Sequence, residues 1–463
     1  MTHTSPTLPN ILLLGFGNIG QALSAPLRAR YPHLDIRVLD ERMDAQQIAI
    51  AHAAGFTWER CRIQADNYTA LLAPHLRPGS LVINIATSIS SHDLLAWTQA
   101  QGVHYLDTCI DPWEYQDGTL HNAANTNYQM REAVLALREH LPPGGPSALV
   151  AHGANPGFVS LLVKRGLAMM AARHLPQVPL PTRAPGWAQL AEALGIRVIQ
   201  ISERDQQRTT TPRAPDCFVN TWSVDGFVAE ALQPVELGWG SHEAHGPLAA
   251  QACHHNHGSR AGVYLPELGA RFRVRSWSPA AGEFCGHLIS HNEAFSIAAY
   301  LSRHTPDTGA LAYRPTVYYA YHPCDQAQES LALLAAGSRA PIASQRILKD
   351  EICDGIDELG VLLLSDRHPG LWLGSQLSIH DARRIAPHNN ATSLQVVGSM
   401  LAGIAWLEAH PRAGIVESEA LDADFIIDHA ERYWAPIVHE FRDWHPGPPG
   451  TPRRWSLDEF RVE

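Results

Sequence analysis

The chain has 463 residues, 45% of them hydrophobic, which is enough to bury a large core and to form two domains or one domain with a big insertion. With 35 Lys+Arg against 46 Asp+Glu the formal charge is -11 and no basic run is present, so a nucleic-acid partner is not expected and cations are the more natural guests. No apolar stretch reaches the roughly 18 residues of a membrane span. Met1 to Asn10 lacks the basic and apolar regions of a leader, so no membrane association and a cytoplasmic location are expected. Seven cysteines (61, 109, 217, 253, 285, 324, 353) form no CxxC and are odd in number, the pattern of reduced thiols rather than of a disulfide frame or structural zinc.

The first predicted element is a buried strand beginning at Asn10, which runs straight into Gly15-Phe-Gly17-Asn18-Ile19-Gly20 and then a helix. In such a strand–turn–helix, Gly15 permits the tight turn, Gly17 lets the backbone approach a pyrophosphate, and Gly20 allows close packing of helix on strand. The helix N-terminus, from Asn18 and Ile19, supplies oriented N–H donors. A second strand, Asp35 to Asp40, ends in an acid twenty residues after Gly20, where a carboxylate can bind a ribose 2′-hydroxyl and repel a 2′-phosphate. NAD is therefore expected over NADP. Strands at Ser80 to Ala86 and Val103 to Thr108, with a helix at Ser91 to Gln101 between them, continue the alternation of a doubly wound parallel sheet of Rossmann type. Ligands lie outside the carboxyl ends of such strands, which puts Asn84, Ala86, Thr87 and Thr108 beside the nicotinamide half.

Paired Pro and Gly in Leu141 to Ser147 interrupt both periodicities after a helical run ending near His140, so a domain boundary is expected near 147. The expected division is an α/β nucleotide-binding domain over 1–147 and an α+β substrate domain over 148–463, with strands at Gly195 to Ile201, Thr316 to Ala320 and Val361 to Ser365. His152-Gly-Ala-Asn155-Pro-Gly157 opens the predicted helix Phe158 to Ala171 and presents an amide side chain at a fixed place, either beside a cofactor ring or as a plain helix cap.

Acids set among Trp, Phe and Val then follow: Glu203-Arg-Asp205, and Trp222 to Glu230. This mixture suits an organic cation, because rings bind its charge and methylenes while carboxylates anchor its ammonium ends. A core tryptophan with surface carboxylates is the alternative reading. His291-Asn-Glu293 and Asp357-Glu358 add acids in apolar contexts. Tyr318, Tyr319 and Tyr321 read as strand aromatics first and pocket walls second. Cys253-His254-His255-Asn-His257 lacks a spaced second ligand pair and reads as a loop, so no metal site is expected.

The series GFGNIG, YLDTCIDPW, AHGANPG, NTWSVDGF, ELGWG, HNE, YAYHPCD, DELGVLL and APHNNATSLQV resembles the bacterial homospermidine synthases, relatives of saccharopine dehydrogenase, over residues 10 to 440. The resemblance implies a dimeric enzyme that makes homospermidine from two putrescines with release of ammonia, using NAD as a hydride carrier regenerated in each turnover. It implies roles as well. Glu203 and Glu230 match carboxylates that bind the ammonium ends of the diamine and move protons, and Trp222 matches an aromatic face for cationic intermediates. Asn155 matches a position near nicotinamide and His291 one near the amine, with Asp111, Glu293 and Asp357 as further substrate-binding acids. The chain departs from the family pattern at Asp111, where relatives carry Glu, and at Ser88, where some carry Asp. Two other classes stay open from sequence: a net oxidoreductase of the saccharopine or carboxynorspermidine dehydrogenase type reducing an imine with NAD(P)H, and an NAD-binding regulator without activity.

Overall fold

The computed structural model describes residues 8–113, 126–335, 344–447, 450 and 452–463. Part of the stretch read for a leader, residues 1–7, lies outside them. Six short strands build the N-terminal sheet: β1 (Ile11–Leu14), β2 (Ile36–Asp40), β3 (Thr57–Arg60), β4 (Leu81–Asn84), β5 (His104–Asp107) and β6 (Ala148–Leu149). A seventh strand, Ile415–Val416, joins at one edge, so the order is 415–416, β6, β5, β4, β1, β2, β3, with every pairing parallel. β1, β4 and β5 are fully buried, as strands covered on both faces by helices must be; β1 is wholly apolar, while β4 ends in Asn84 and β5 carries His104 and Asp107. The strand order reverses between β1 and β4, which opens a crevice at their carboxyl ends.

The expected boundary near 147 falls immediately before β6, and the chain returns to the same sheet at Ile415–Val416. Two-residue strands carry no readable period, so neither β6 nor the returning strand has a signal in the sequence. The two halves are further tied by the helix Ala391–Ala409, which is buried around most of its circumference and packs on the nucleotide-side helix Asn18–Arg30. Asn389 fixes that contact by donating to the Ala22 carbonyl at 3.0 Å.

The second half centres on an eleven-stranded mixed sheet, where β7 (Ile196–Asp205) lies parallel to Thr316–His322 and antiparallel to Ile356–Ser365. One face of these three strands packs against the helices Phe158–His174 and Ala391–Ala409, and the other against a separate core containing Val198, Tyr318, Trp372 and Phe460. Side chains alternate across a strand. On the helix-covered face the rows therefore run Ile199, Ile201, Glu203, Asp205 on β7; Val317, Tyr319, Tyr321 beside it; and Leu363, Val361, Leu359, Asp357 on the third strand. Apolar rows turn acidic and aromatic at one end of the sheet. β7 also continues beyond the expected Ile201 limit, so Glu203 and Asp205 sit on a strand. Cys253–His254, expected as loop, forms a short edge strand against Gly262–Leu268, and His255 stacks on Tyr128 with ring centroids 3.9 Å apart. Among the described residues no helix is long and apolar enough to cross a membrane.

Candidate active site

At the end of β1 each glycine of the turn has its own steric reason. Gly15 has φ +91°, and a Cβ there would lie 2.8 Å from the Ala86 amide nitrogen, so Ala86 and Gly15 fix the approach of the β1 and β4 ends. A Cβ on Gly20 would meet the Gly15 carbonyl oxygen at 2.8 Å, whereas one on Gly17 would meet nothing within 4 Å. Gly17 thus borders open space at the head of the helix, and next to it the buried Asn18 amide has no hydrogen-bond partner on either atom; Ile19 packs toward the core. Asp40, at the end of β2, accepts from Phe16 N at 2.5 Å and Arg42 N at 2.6 Å. A carboxylate offers about four lone-pair sites, so capacity remains for a hydroxyl. Asn84 ends β4, its amide accepting from Ala86 N and donating to the Tyr105 hydroxyl, each at 3.4 Å. Thr87 is exposed beyond it, and Thr108, after β5, backs onto Gly153.

Asn155 links the two halves. The cap of the helix Phe158–His174 is Gly157, at φ +127°, with no side-chain cap bond, so Asn155 is not the helix cap. Its Nδ2 instead donates to Glu203 Oε2 at 3.3 Å. The same oxygen accepts from the Tyr319 hydroxyl at 2.6 Å. Glu203 is 2% exposed. Burial, opposed by the Tyr319 bond and reinforced by the Asp205 charge, pushes it up to about 8. Asp357 is driven well above the usual carboxylate range by burial and by Glu203 and Asp205, although Thr392 Oγ1 donates to its Oδ2 at 2.6 Å.

His291 stands over Tyr319, with ring centroids 4.5 Å apart, between two carboxylates: Nε2 is 3.1 Å from Glu230 Oε2 and Nδ1 is 3.3 Å from Glu293 Oε1. Burial opposes charge on this ring, yet Glu230 and Glu293 lift it well above the ordinary imidazole range, so His291 is held as an imidazolium. Trp222 is half-buried and reaches the cluster through a chain of rings. Phe227 lies 5.8 Å from it, Tyr321 is 5.6 Å from Phe227, and Tyr319 is 5.2 Å from Tyr321. Gly226 leaves room for the indole, since a Cβ there would come within 3.0 Å of it.

The structure therefore brings Glu203, Asn155, His291, Glu230 and Glu293 into one network, with Asp357 on the neighbouring strand and Trp222 at its aromatic flank. Asp111 lies on the loop after β5, where its Oδ2 accepts from the Cys109 thiol at 3.2 Å. Burial, then the charges of Asp111, Asp107 and Glu230, raise that thiol, so Cys109 lies in the field of both Asp111 and Glu230. Glu293 Oε2, Asp357 Oδ1 and the Tyr321 hydroxyl are buried and unsatisfied by the protein. Three acceptors or hydroxyls without donors, beside stacked rings and several carboxylates, suit a ligand that brings ammonium N–H groups. Sequence reasoning named Asp205 among these acids without giving it a role, and read Tyr319 as a strand aromatic rather than as a direct partner of Glu203. The period of two from Ile199 onward carries the signal for the first.

Residues 11–149 match the saccharopine dehydrogenase NADP binding domain and residues 153–435 the saccharopine dehydrogenase C-terminal domain. A homospermidine synthase of Blastochloris viridis is 43% identical over 452 residues, covering 95% of this chain and 93% of that protein. The chain belongs to the homospermidine synthase family. A second member, from Mesorhizobium japonicum, is 39% identical over 94% of the chain and 91% of its own length. The crystal structure of the Legionella pneumophila homospermidine synthase in complex with NAD superimposes with a TM-score of 0.90 at 37% identity, covering 99% of this chain and 98% of that one. These relatives span both halves of the chain, so membership rests on the acidic and aromatic sheet end as well as on the nucleotide motif.

Proposed function

We propose that this chain joins two putrescine molecules into homospermidine and ammonia, using NAD as a recycled hydride carrier, and that it works as a cytoplasmic homodimer. The single observation that carries the substrate assignment is the acidic cluster of buried Glu203, Glu293 and Asp357 and half-buried Glu230 against Tyr319, Tyr321 and Trp222. A diamine with two positive ends in a partly dehydrated pocket needs compensating charge at matched separation. The seven cysteines, all free, suit a reducing compartment. We further propose the division at 147, with β6 and Ile415–Val416 contributed to the first sheet by the second half.

The residues present fit a dinucleotide. Gly17 leaves space where a pyrophosphate approaches, the N–H groups from Asn18 and Ile19 point out of the helix start, and the Asn18 amide has both atoms to offer. Asp40 would take the ribose hydroxyls, and Asn84, Ala86, Thr87, Thr108 and Asn155 would border the nicotinamide half. When bound, NAD would supply a reversible hydride acceptor.

An ammonium has no lone pair and cannot release hydride from its carbon until it loses a proton. Glu203 accepts that proton, since burial raises it to a value suited to proton exchange near neutrality. Tyr319 and Asn155 fix its orientation. Glu230, steadied by the His291 imidazolium, holds the distal ammonium. With the substrate carbon oxidised, ammonia would leave the iminium either by direct exchange with the second diamine's free amine or by hydrolysis to the aminoaldehyde, which then condenses with that amine and loses the water again; the resulting imine differs from homospermidine by the one hydride that bound NAD would supply. Trp222 offers its face to the cationic intermediates, and the acids around His291 hold the incoming diamine. Atoms and electrons balance without net oxidation.

The test is purified protein with putrescine and a catalytic amount of NAD. Equimolar homospermidine and ammonia with no accumulating change at 340 nm are expected. Absorbance changing in proportion to product would instead mark a net oxidoreductase of the saccharopine dehydrogenase type.

A further inference from the structure

Asp205 stands one pleat beyond Glu203 on the same face of β7 and faces Asp357 in the antiparallel register. It is fully buried and accepts three hydrogen bonds, from Gln207 N at 2.9 Å, Gln207 Nε2 at 3.1 Å and Thr221 Oγ1 at 2.9 Å. Each donor leads onward. Thr221 immediately precedes Trp222, and its carbonyl accepts from Asn390 Nδ2 at 2.5 Å. Gln207 Nε2 also donates to Thr392 Oγ1 at 3.1 Å, and that hydroxyl donates to Asp357 Oδ2. Gln207 Oε1 accepts from Ala391 N at 2.9 Å. Both arms end at the N-terminus of the helix Ala391–Ala409, where the helix dipole favours negative charge.

We propose that Asp205 is a positioning residue of the diamine site, holding Trp222 through Thr221 and Asp357 through Gln207 and Thr392. The proposal rests on the diamine assignment above. Three buried acids at one sheet end cannot all ionise together, because each like charge adds to the cost of the next. Asp205 is the one with three donors and therefore keeps its charge most easily. Burial still raises it to about 6, against Gln207, Thr221 and the Arg204 charge, while Glu203 and Asp357 are pushed higher. The groups that share its field are Glu203 on β7, Asp357 on the next strand, Tyr321 on the strand on the other side, and Cys324 just beyond that strand's end. His291 acts on Glu203 with opposite sign. Asp205 thus also sets the proton affinity of Glu203.

The test is the pH dependence of kcat and kcat/KM for putrescine in NAD-loaded protein. Asp205→Asn keeps an acceptor for Gln207 but removes the charge, so the acid limb of kcat/KM should move to lower pH by about one unit. Thr221→Val severs the Trp222 arm while leaving Gln207 on Asp205, and should lower kcat about fivefold or more with KM unmoved. Thr392→Val severs the Asp357 arm and should raise KM about tenfold at unchanged kcat. A merely structural Asp205 would not move a pH limb. A folded Asp205→Asn protein whose acid limb stays in place overturns the proposal. Should that variant fail to fold, wild-type kcat in Thr221→Val or wild-type KM in Thr392→Val overturns it equally. Failure of the diamine assignment itself would show differently, as wild-type protein that makes no homospermidine.

Discussion

Replacing Glu203 by Gln removes an ionisable group that is 2% exposed while keeping its volume and an acceptor for the Tyr319 hydroxyl. In the folded wild type this acid is raised from its ordinary 4.5 to about 8, chiefly by burial. As pH climbs through about 4.5 the unfolded chain ionises Glu203 and the folded chain does not, so the folded state loses about 1.4 kcal/mol per pH unit until about pH 8. The loss is on the order of 3 kcal/mol at pH 7 and 5 kcal/mol above pH 8. Gln carries no such linkage. Glu203→Gln should therefore match the wild type near pH 4.5 and melt progressively higher above it, by a few degrees at alkaline pH. Homospermidine formation should fall on the order of 100-fold, as expected for loss of a proton acceptor. Melting of substrate-free protein at about pH 5, 7 and 9, together with chromatographic product analysis, gives both readings. Melting temperatures that run parallel for the two proteins across this range would refute the burial reasoning, and turnover close to wild type would refute the role of Glu203.

Asp40 should make NAD bind at least about tenfold tighter than NADP, because a 2′-phosphate would face its carboxylate at close range; equal affinities by calorimetry would contradict this. Trp222→Phe should retain more activity than Trp222→Ala in folded protein, since a phenyl face keeps part of the cation–π attraction. Equal losses would assign the indole to packing. Gly15→Ala should cost about 1–3 kcal/mol of stability, given its φ of +91° and the Ala86 backbone 2.8 Å from the new methyl. Gly17→Ala should fold normally yet weaken NAD binding, as its methyl points into open space where the pyrophosphate approaches; unchanged affinity would remove Gly17 from the cofactor site.

The nucleotide half was largely legible because its chemistry is local: a strand, three glycines and an acid twenty residues on specify the turn by backbone sterics alone. Residue types at the substrate end were legible too, since acids interrupting apolar rows stand out. Their partners were not. Tyr319 meets Glu203 through parallel pairing of strands more than a hundred residues apart in the chain, and nothing in its own neighbourhood separates it from Tyr318, which faces the opposite core. Thr392 reaches Asp357 only because a capping box starts a helix at that spot, and Gln207 reaches Asp205 from the turn that ends β7. Asp205 itself lay in a readable alternation that a strand ending at Ile201 cut short. β6 and Ile415–Val416 escape any sequence reading, being too short to show a period.

The recycled hydride is tested most directly by deuterium bookkeeping in the product. Putrescine fully deuterated at both amine-bearing carbons, incubated with protein preloaded with NAD+ and with unlabelled NADH added to the solution, should give homospermidine that retains all of its deuterium by mass spectrometry. The hydride removed from one carbon would then be the one returned to it. Product lacking one deuterium per molecule would mean that the imine is reduced from the external pool, and would contradict the carrier role assigned to the cofactor.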